Sequence, residues 1–171
     1  MSNPFTPCKI KLLKGNLFSM LDDEWMLITA GTKKSFNTMT ASWGGFGILW
    51  NKPVAFIFIR PQRHTLGFVD REDFFTLSFF EENYRDILSF CGSRSGREVD
   101  KVAETGLVPL ETRNGAIYFE QAKLILECSK LYRDKIRPEN FMSGELEKNI
   151  YREKDYHFVY VAEIVACMVR K

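Results

Sequence analysis

Two short segments of this 171-residue chain carry side chains that could bind a ligand. The first, residues 37–43, reads Asn-Thr-Met-Thr-Ala-Ser-Trp. If this segment is a strand, Thr38, Thr40 and Ser42 share one face, because side chains alternate along a strand. Their hydroxyls could hydrogen-bond a ligand, and the backbone groups between them could pair with the edge of a heterocycle. A Thr-rich, half-exposed strand without a ligand is the alternative, and composition alone favours it.

The second segment, residues 60–65, reads Arg-Pro-Gln-Arg-His-Thr and directly follows the apolar run 53–59. We expect Arg60 to end a buried strand and a helix to begin at Thr65. The start of a helix presents free N–H groups and a positive dipole end, so Arg60, Arg63 and the Thr65 hydroxyl could hold a phosphate. The equal alternative is that Thr65 only caps the helix and that the arginines are solvated.

Residues 93–101 place Arg94, Arg97 and Lys101 near a Gly bend, where they could supply a second contact to the same phosphate. The stronger interpretation of this segment is a charged helix start, with two acidic residues balancing the cations.

His157 precedes the last apolar run, where it could donate a hydrogen bond, transfer a proton or stack on a ring. A lone histidine is more often a structural residue. Cys91 precedes Gly92 with no base nearby in sequence, which favours a small buried residue over a nucleophile. The other histidine, His64, is far from His157 in sequence, and we expect no metal site.

Strands must position most of these side chains. Apolar and β-branched runs predict strands at residues 25–30, 35–43, 53–59, 74–80 and 156–169. Helical spacing predicts helices at 81–90, ended by Cys91 and Gly92, at 95–104, closed by Gly106, and at 138–151. The glycines at 44, 45 and 47 indicate a sharp turn or a close backbone approach, and Asn114-Gly115 predicts a hairpin. Residues 118–131 fit either a strand or a helix. The elements do not alternate as β-α-β units, so we predict a mostly β, largely antiparallel barrel with peripheral helices.

Composition narrows the class of protein. The net charge is +2, from 24 Lys and Arg against 22 Asp and Glu, with no long basic run, so a nucleic-acid partner is not expected. No segment approaches the ~20 apolar residues that span a membrane, and residues 1–15 lack the apolar stretch of a signal peptide. Four widely spaced cysteines predict neither a disulfide scaffold nor a zinc site. We expect a single domain over residues 1–171, in a reducing cytoplasm.

These segments together resemble a known family. Residues 37–65, followed by FTLSFF at 75–80, CGSRSGREVDK at 91–101 and DYHFVYVAEI at 155–164, are similar to the flavin reductase-like proteins and most like their flavoredoxin branch. The resemblance extends from about residue 25 to 165. It implies an FMN-binding split β-barrel of antiparallel Greek-key type that works as a homodimer, and it favours a strand for residues 118–131.

Carried over residue by residue, the resemblance implies two groups of FMN-binding residues. The flavin ring and ribityl chain would contact Asn37, Thr38, Met39, Thr40, Ala41, Ser42 and Trp43. The phosphate would contact Arg60, Arg63, His64 and Thr65, with Cys91 and Lys101 also in the cofactor site. His157 matches a histidine near the flavin face where a nicotinamide can dock, and is the predicted catalytic residue. One departure is Ala162, where the family often has Gly; its methyl group could narrow the space around His157.

The activity that the resemblance implies is flavin reduction. NAD(P)H would pass hydride to FMN, and reduced FMN would pass electrons to an unknown acceptor. The alternatives are a flavoredoxin-type electron-transfer protein without direct NAD(P)H activity and a non-catalytic FMN-binding protein.

Overall fold

The computed structural model describes residues 4–171, so the first three residues of the domain predicted over 1–171 lie outside it. Its main feature is an antiparallel sheet of eight strands in the order β3-β2-β6-β9-β10-β5-β4, with β1 also paired to β10. A separate hairpin is formed by β7 and β8. The strands are β1 (Phe5–Pro7), β2 (Met26–Thr32), β3 (Ser35–Ala41), β4 (Gly44–Leu49), β5 (Lys52–Ile59), β6 (Phe74–Phe79), β7 (Pro109–Glu111), β8 (Ile117–Phe119), β9 (Leu124–Lys135) and β10 (Phe158–Arg170).

The barrel is split between β3 and β4. These strands follow one another in the chain, joined by Ser42 and Trp43, yet they occupy the two ends of the strand order. Within residues 4–171 no ladder of hydrogen bonds joins them. The predicted mostly β, antiparallel split barrel is confirmed, and the segment expected to bind a ligand lies along one side of the split.

The barrel interior explains the long apolar runs. Met26 and Ile28 of β2 are fully buried in the main core, whereas Leu27 points to the other face of the sheet and packs in a second cluster with Leu88 and Phe119. Because both faces of β2 are covered, the strand is apolar at successive positions instead of alternating.

Helices cover the outside of the sheet. They are α1 (Leu17–Ser19), α2 (Thr65–Arg71), α3 (Arg85–Ser93), α4 (Lys101–Thr105) and α5 (Gly144–Ile150), with single helical turns at Ile10–Leu12, Met20–Glu24, Glu82–Tyr84 and Pro138–Asn140. The predicted end of α3 at Cys91 and Gly92 is wrong, because the helix continues to Ser93. A Cβ on Gly92 would lie 3.2 Å from the Thr40 side chain, so this glycine allows α3 to pack closely on β3.

Of the two alternatives for the glycines at 44, 45 and 47, the structure shows the close backbone approach and not the sharp turn, because Gly44–Leu49 forms β4. A Cβ on Gly44 would lie 2.7 Å from the carbonyl oxygen of Phe56, so the glycine permits a close approach of β4 to β5. The chain turns instead at Trp50 and Asn51, which both have positive φ, 52° and 58°. Positive φ at both central residues is the signature of a tight hairpin turn.

Three other predicted elements differ in extent. The helix predicted at 95–104 is limited to α4, because the Asp100 side chain accepts from the backbone N–H groups of Val102 and Ala103 and caps the helix there. Gly106 ends it in the left-handed conformation, as predicted. The ambiguous residues 118–131 are divided between β8 and β9, and the helix predicted at 138–151 is only a 3₁₀ turn followed by α5. The hairpin at Asn114-Gly115 is confirmed.

One disulfide joins the two ends of the chain. Cys8 and Cys167 are bonded, whereas Cys91 and Cys128 are free and buried. A single bridge is not a disulfide scaffold. Across residues 4–171 there is no helix with the length and apolar character that a membrane crossing requires.

Candidate functional site

The site is built along β3, whose side chains alternate between two environments. Met39 is 5% exposed and packs in the main core. The Thr38 hydroxyl lies 2.8 Å from that of Thr29, and the Thr40 hydroxyl donates to the carbonyl of Leu88 at 2.5 Å. The threonine hydroxyls predicted as ligand donors are therefore bonded to the protein itself.

The turn after β5 brings the second segment beside β3. Thr65 is fully buried, and its hydroxyl accepts a hydrogen bond of 2.8 Å from the Asn37 amide. His64 occupies the N-cap position without a side-chain cap bond, so Thr65 is the first helical residue. The interpretation of Thr65 as the N-cap is wrong.

Arg60 connects the end of β5 to the segment before β10. Its guanidinium forms an ion pair with Asp155 and donates to the carbonyl of Ile150 at 3.2 Å. It also lies 5.4 Å from the ring centroid of Tyr151. Hydrogen bonds from Arg60 and Gln62 hold the pKa of Asp155 below its ordinary value.

Lys101 reaches the same region from α4. Its Nζ donates to the carbonyls of Thr38 at 2.8 Å and Cys91 at 2.6 Å, and the residue is 6% exposed. Burial lowers the pKa of Lys101. An ammonium group has three donors, so one remains after these two bonds. The Cys91 thiol is buried, which raises its pKa, and Cys91 lines neither of the two cavities described below.

A cavity of about 250 Å³, the cationic cavity, lies at the junction of these segments. Four of its lining side chains are Arg or Lys, and none is a carboxylate. Burial, followed by the charges of Arg97 and Lys101, lowers the pKa of His64 at its wall. This concentration of positive charge suits an anion. The lining residues are Asn37, Met39, Arg60, Gln62, Arg63, His64, Thr65, Ser93, Arg94, Ser95, Gly96 and Lys101.

A second cavity of about 300 Å³, the aromatic cavity, continues along β3. The two cavities share Met39, Arg60 and Arg63, so they form one groove with a charged end and an aromatic end. The aromatic cavity is lined by Met39, Thr40, Ala41, Ser42, Trp43, Phe58, Arg60, Arg63 and His157.

His157 forms part of the wall of the aromatic cavity. Its Nδ1 is 2.8 Å from the Tyr151 hydroxyl, and its ring centroid is 5.2 Å from that of Trp43. Burial, followed by the charge of Arg60, lowers the pKa of His157 to about 4. The imidazole is therefore neutral at pH 7 and can donate from one nitrogen and accept at the other.

A larger cavity of about 630 Å³ lies elsewhere and has the opposite character. Its lining includes two cations, Arg85 and Lys123, and five carboxylates, those of Asp22, Asp23, Glu24, Glu81 and Glu82. The excess of carboxylates would repel an anion, so size alone does not identify the candidate anion site. Among residues 4–171 no cluster of His, Cys, Asp and Glu has the arrangement of a metal site.

The structure therefore brings most of the predicted residues together. Asn37, Arg60, Arg63, His64, Thr65 and Lys101 meet at the cationic cavity, and Thr40 to Trp43 meet His157 at the aromatic one. Thr38 and Cys91 contribute carbonyls that hold Lys101 and do not line this groove.

Several further residues of the candidate site were not selected from the sequence, among them Phe58, Gly96, Tyr151 and Asp155. Phe58 lies inside a strand, where an aromatic residue looks like core. The local sequence around Gly96 indicates only a bend in the backbone. In the structure, a Cβ at this position would lie 1.9 Å from the Asn37 Oδ1. Asp155 and Tyr151 reach the site only because the 150–157 segment folds back over β5, which no local pattern indicates.

The donor set fits FMN at both ends of the groove. Phosphate oxygens suit arginine and lysine donors, and an aromatic wall suits a flat ring. The family comparison agrees with this geometry: residues 21–171 match the flavin reductase like domain, and the chain belongs to this family. A search of curated proteins finds no match.

Solved structures show the same fold at low sequence identity. Flavoredoxin from Methanosarcina acetivorans is 19% identical, with 86% of this chain and 69% of that chain covered and a TM-score of 0.66. An FMN-binding domain of a flavin reductases-like enzyme from Shewanella baltica is 14% identical, with 99% and 79% covered and a TM-score of 0.70. An NADH:FAD oxidoreductase from Streptomyces globisporus is 15% identical, with 86% and 75% covered and a TM-score of 0.65.

Proposed function

We propose that this protein is a single-domain flavoprotein that binds FMN in the groove along β3 and acts as an NAD(P)H-dependent flavin reductase. The observation that carries the proposal is the continuity of the two cavities through Met39, Arg60 and Arg63. A ligand that is anionic at one end and aromatic at the other matches this groove in charge and shape. When bound, FMN supplies the capacity to accept a hydride and release its electrons.

The residues of the chain would bind and orient the reactants. Arg63, Arg60, Lys101 and the first turn of α2 would hold the phosphate, with His64 and Asn37 closing the cationic cavity. Met39 to Trp43 would line the ring, since the threonine hydroxyls are already bonded and backbone groups remain for the heterocycle edge. His157 would stand beside the ring as a neutral hydrogen-bonding group.

Space for a second ring supports a reductase. A third cavity of about 490 Å³, mainly apolar, adjoins the aromatic cavity at Ser42, Trp43 and Phe58. Trp43 is 49% exposed, so a nicotinamide can approach this end of the groove from solvent. The S. globisporus oxidoreductase, named for NADH, has the same fold.

The second candidate is an electron-transfer protein that carries FMN without direct NAD(P)H activity. The shared fold of the M. acetivorans flavoredoxin favours it. Both functions need the same FMN site, so the site geometry does not separate them.

Two measurements, made one after the other, test these proposals. FMN and riboflavin are titrated against the protein by flavin fluorescence, and FMN is expected to bind more tightly because riboflavin lacks the phosphate. Failure of FMN to bind, or to raise the melting temperature, would refute the flavoprotein proposal. The holoprotein is then mixed with NADH or NADPH under nitrogen. Bleaching of the flavin absorption supports the reductase, whereas a holoprotein that neither donor bleaches is the electron carrier.

We also propose a homodimer, supported by apolar side chains exposed near the β4 edge. Ile48 is 65% exposed, Trp50 55% and Tyr132 47%, and the rings of Trp50 and Tyr132 are 6.5 Å apart. Exposed aromatic residues of this kind are enriched at subunit interfaces. Light scattering at micromolar concentration is expected to give twice the monomer mass of 19.9 kDa, and a monomer mass would count against the dimer.

A cytoplasmic location stays a prediction. The Cys8–Cys167 disulfide bears on it because disulfides persist mainly in oxidising compartments. Alkylation of the protein in intact cells, followed by mass spectrometry, measures whether these two thiols are reduced there.

A further inference from the structure

Tyr151 lies behind His157 at the aromatic cavity. The Tyr151 hydroxyl oxygen is 2.8 Å from Nδ1 of His157, and the two residues are 5% and 6% exposed. His157 lines the cavity and Tyr151 does not. Within residues 4–171 no hydrogen bond is assigned to the other ring nitrogen, Nε2, so that nitrogen is available to a ligand.

The proton in this contact can be placed by counting donors and acceptors. A neutral imidazole carries its proton on one nitrogen and accepts at the other. Among residues 4–171, Nδ1 of His157 is the one hydrogen-bond partner of the Tyr151 hydroxyl, so a proton on Nδ1 would leave the phenol proton without an acceptor. Burial raises the pKa of Tyr151, so the phenol keeps its proton, and Nδ1 is the acceptor that lies within reach.

We propose that Tyr151 is a positioning residue whose hydroxyl donates a hydrogen bond to Nδ1 of His157 and holds the imidazole as the Nε2–H tautomer. His157 then presents an N–H donor to the aromatic cavity. The group that it recognises is a carbonyl oxygen on the ring ligand, such as the carboxamide of a nicotinamide. This assignment of a role rests on the proposed function, whereas the tautomer itself does not.

The surroundings of Tyr151 fix its ring. Tyr156 packs at a centroid distance of 4.9 Å, Phe141 at 5.9 Å, and the Arg60 guanidinium lies 5.4 Å from the ring centroid. A phenol held on several sides keeps one hydroxyl position, which is what an orienting hydrogen bond requires.

The tautomer can be read directly by NMR. The chain has two histidines, so a protein with ¹⁵N-labelled imidazoles gives two ring systems, and a His64→Gln variant assigns them. At pH 7 the wild-type His157 is expected to show a protonated Nε2 and an unprotonated Nδ1. Tyr151→Phe removes one oxygen and is expected to give a mixture of tautomers. Tyr156→Phe is the matched control, because its hydroxyl bonds Glu147 instead, and it should keep the wild-type spectrum.

The kinetic test uses the same variants with NADH or NADPH. Tyr151→Phe is expected to lower kcat/KM roughly fivefold to tenfold, the effect of one lost hydrogen bond, with Tyr156→Phe unchanged. A wild-type His157 protonated on Nδ1, or a Tyr151→Phe spectrum identical to wild type, would overturn the proposal. A changed tautomer with unchanged kcat/KM would overturn the positioning role. If neither nicotinamide reacts, the reductase proposal fails, and the spectra still decide the tautomer.

Discussion

The side-chain amide of Asn37 donates a hydrogen bond of 2.8 Å to the hydroxyl of Thr65. Asn37 belongs to β3 and Thr65 to the first turn of α2. Gly96 packs against this contact so closely that a Cβ there would lie 1.9 Å from the Asn37 Oδ1. One buried contact thus fixes the relative position of the two elements that form the walls of the cationic cavity.

Gly96→Ala is expected to break this arrangement. The added methyl group would displace Asn37, which loses its bond to Thr65, and the unfolding free energy should fall by about 1–3 kcal/mol. FMN affinity should fall as well. Urea unfolding and a flavin fluorescence titration measure the two effects. Gly67→Ala is the matched control, because no atom would lie within 4 Å of its Cβ and alanine favours a helix interior. Equal effects of the two substitutions would show that the Asn37 contact is unimportant.

Arg63→Ala is expected to weaken FMN binding by about 1.5–3 kcal/mol, because a charge-assisted bond to the phosphate is lost. Arg63 Nη1 already donates to the carbonyl of Gly92 at 2.6 Å, which directs the guanidinium at the cavity. Riboflavin has no phosphate, so its affinity should not change. Arg113→Ala, an exposed arginine in the β7–β8 connection, is the control for net charge. An equal loss for riboflavin would contradict a phosphate contact.

Arg60→Ala is expected to weaken FMN binding by a similar amount, about 1.5–3 kcal/mol. Its effect should differ in kind from that of Arg63, because Arg60 also forms the ion pair with Asp155 and contacts Tyr151. Loss of these contacts releases the segment that carries His157, so riboflavin affinity should fall too. Fluorescence titrations of both flavins make the comparison, and unchanged FMN affinity would remove Arg60 from the site.

Stability should depend on pH through His157. Burial lowers its folded-state pKa to about 4 from an ordinary value of 6.5, so the unfolded chain binds more protons between these two values. The unfolding free energy therefore falls as the pH decreases from about 6.5 to about 4, by on the order of 2–3 kcal/mol, and this contribution changes no further below that range. Denaturant unfolding at several pH values measures it. His157→Asn should remove this part of the slope, and an identical slope in that variant would refute the assignment.

Cys8→Ser is expected to lower the unfolding free energy by about 2–5 kcal/mol, since the disulfide restricts a loop that spans nearly the whole unfolded chain. The bridge closes a sequence separation of 159 residues. Cys8 is only partly buried, so the serine itself should be tolerated. Reductant should destabilise the wild type by a similar amount and leave the variant unchanged. A wild type insensitive to reductant would indicate that the bridge is absent in solution.

The parts of the fold that could be predicted are those with a local physical cause. Residues 53–59 and 74–80 are short, mainly apolar runs of the length typical of a buried strand, and Gly106 supplies the left-handed end of α4. At Gly44 the local pattern left two outcomes open, a turn or a close backbone approach, and only the close approach occurs. The turn itself falls on Trp50 and Asn51. Asparagine adopts positive φ more readily than most residues, but tryptophan rarely does, so the pair gives little warning.

The site was predictable where its residues are consecutive. Residues 37–43 and 60–65 each supply a wall, and the family resemblance placed them in one groove. Asp155 acts through its contact with Arg60, which lies more than 90 positions earlier in the chain. Tyr151 acts through its contact with His157, which the fold-back of their shared segment brings about. No local sequence pattern predicts these contacts, because they depend on the register of β10 against β5.

The bridge between Cys8 and Cys167 also determines how the protein responds to mechanical force. Tension applied at the two ends passes from residues 1–7 through the sulfur atoms to residues 168–171 and bypasses residues 9–166. In an optical trap, the oxidised chain would extend by only these short end segments, at about 3.3–3.6 Å per residue, as β1 separates from the end of β10, and the other strands would remain unloaded. After reduction, the same pull would continue past Cys8 and Cys167 and peel the rest of the barrel open.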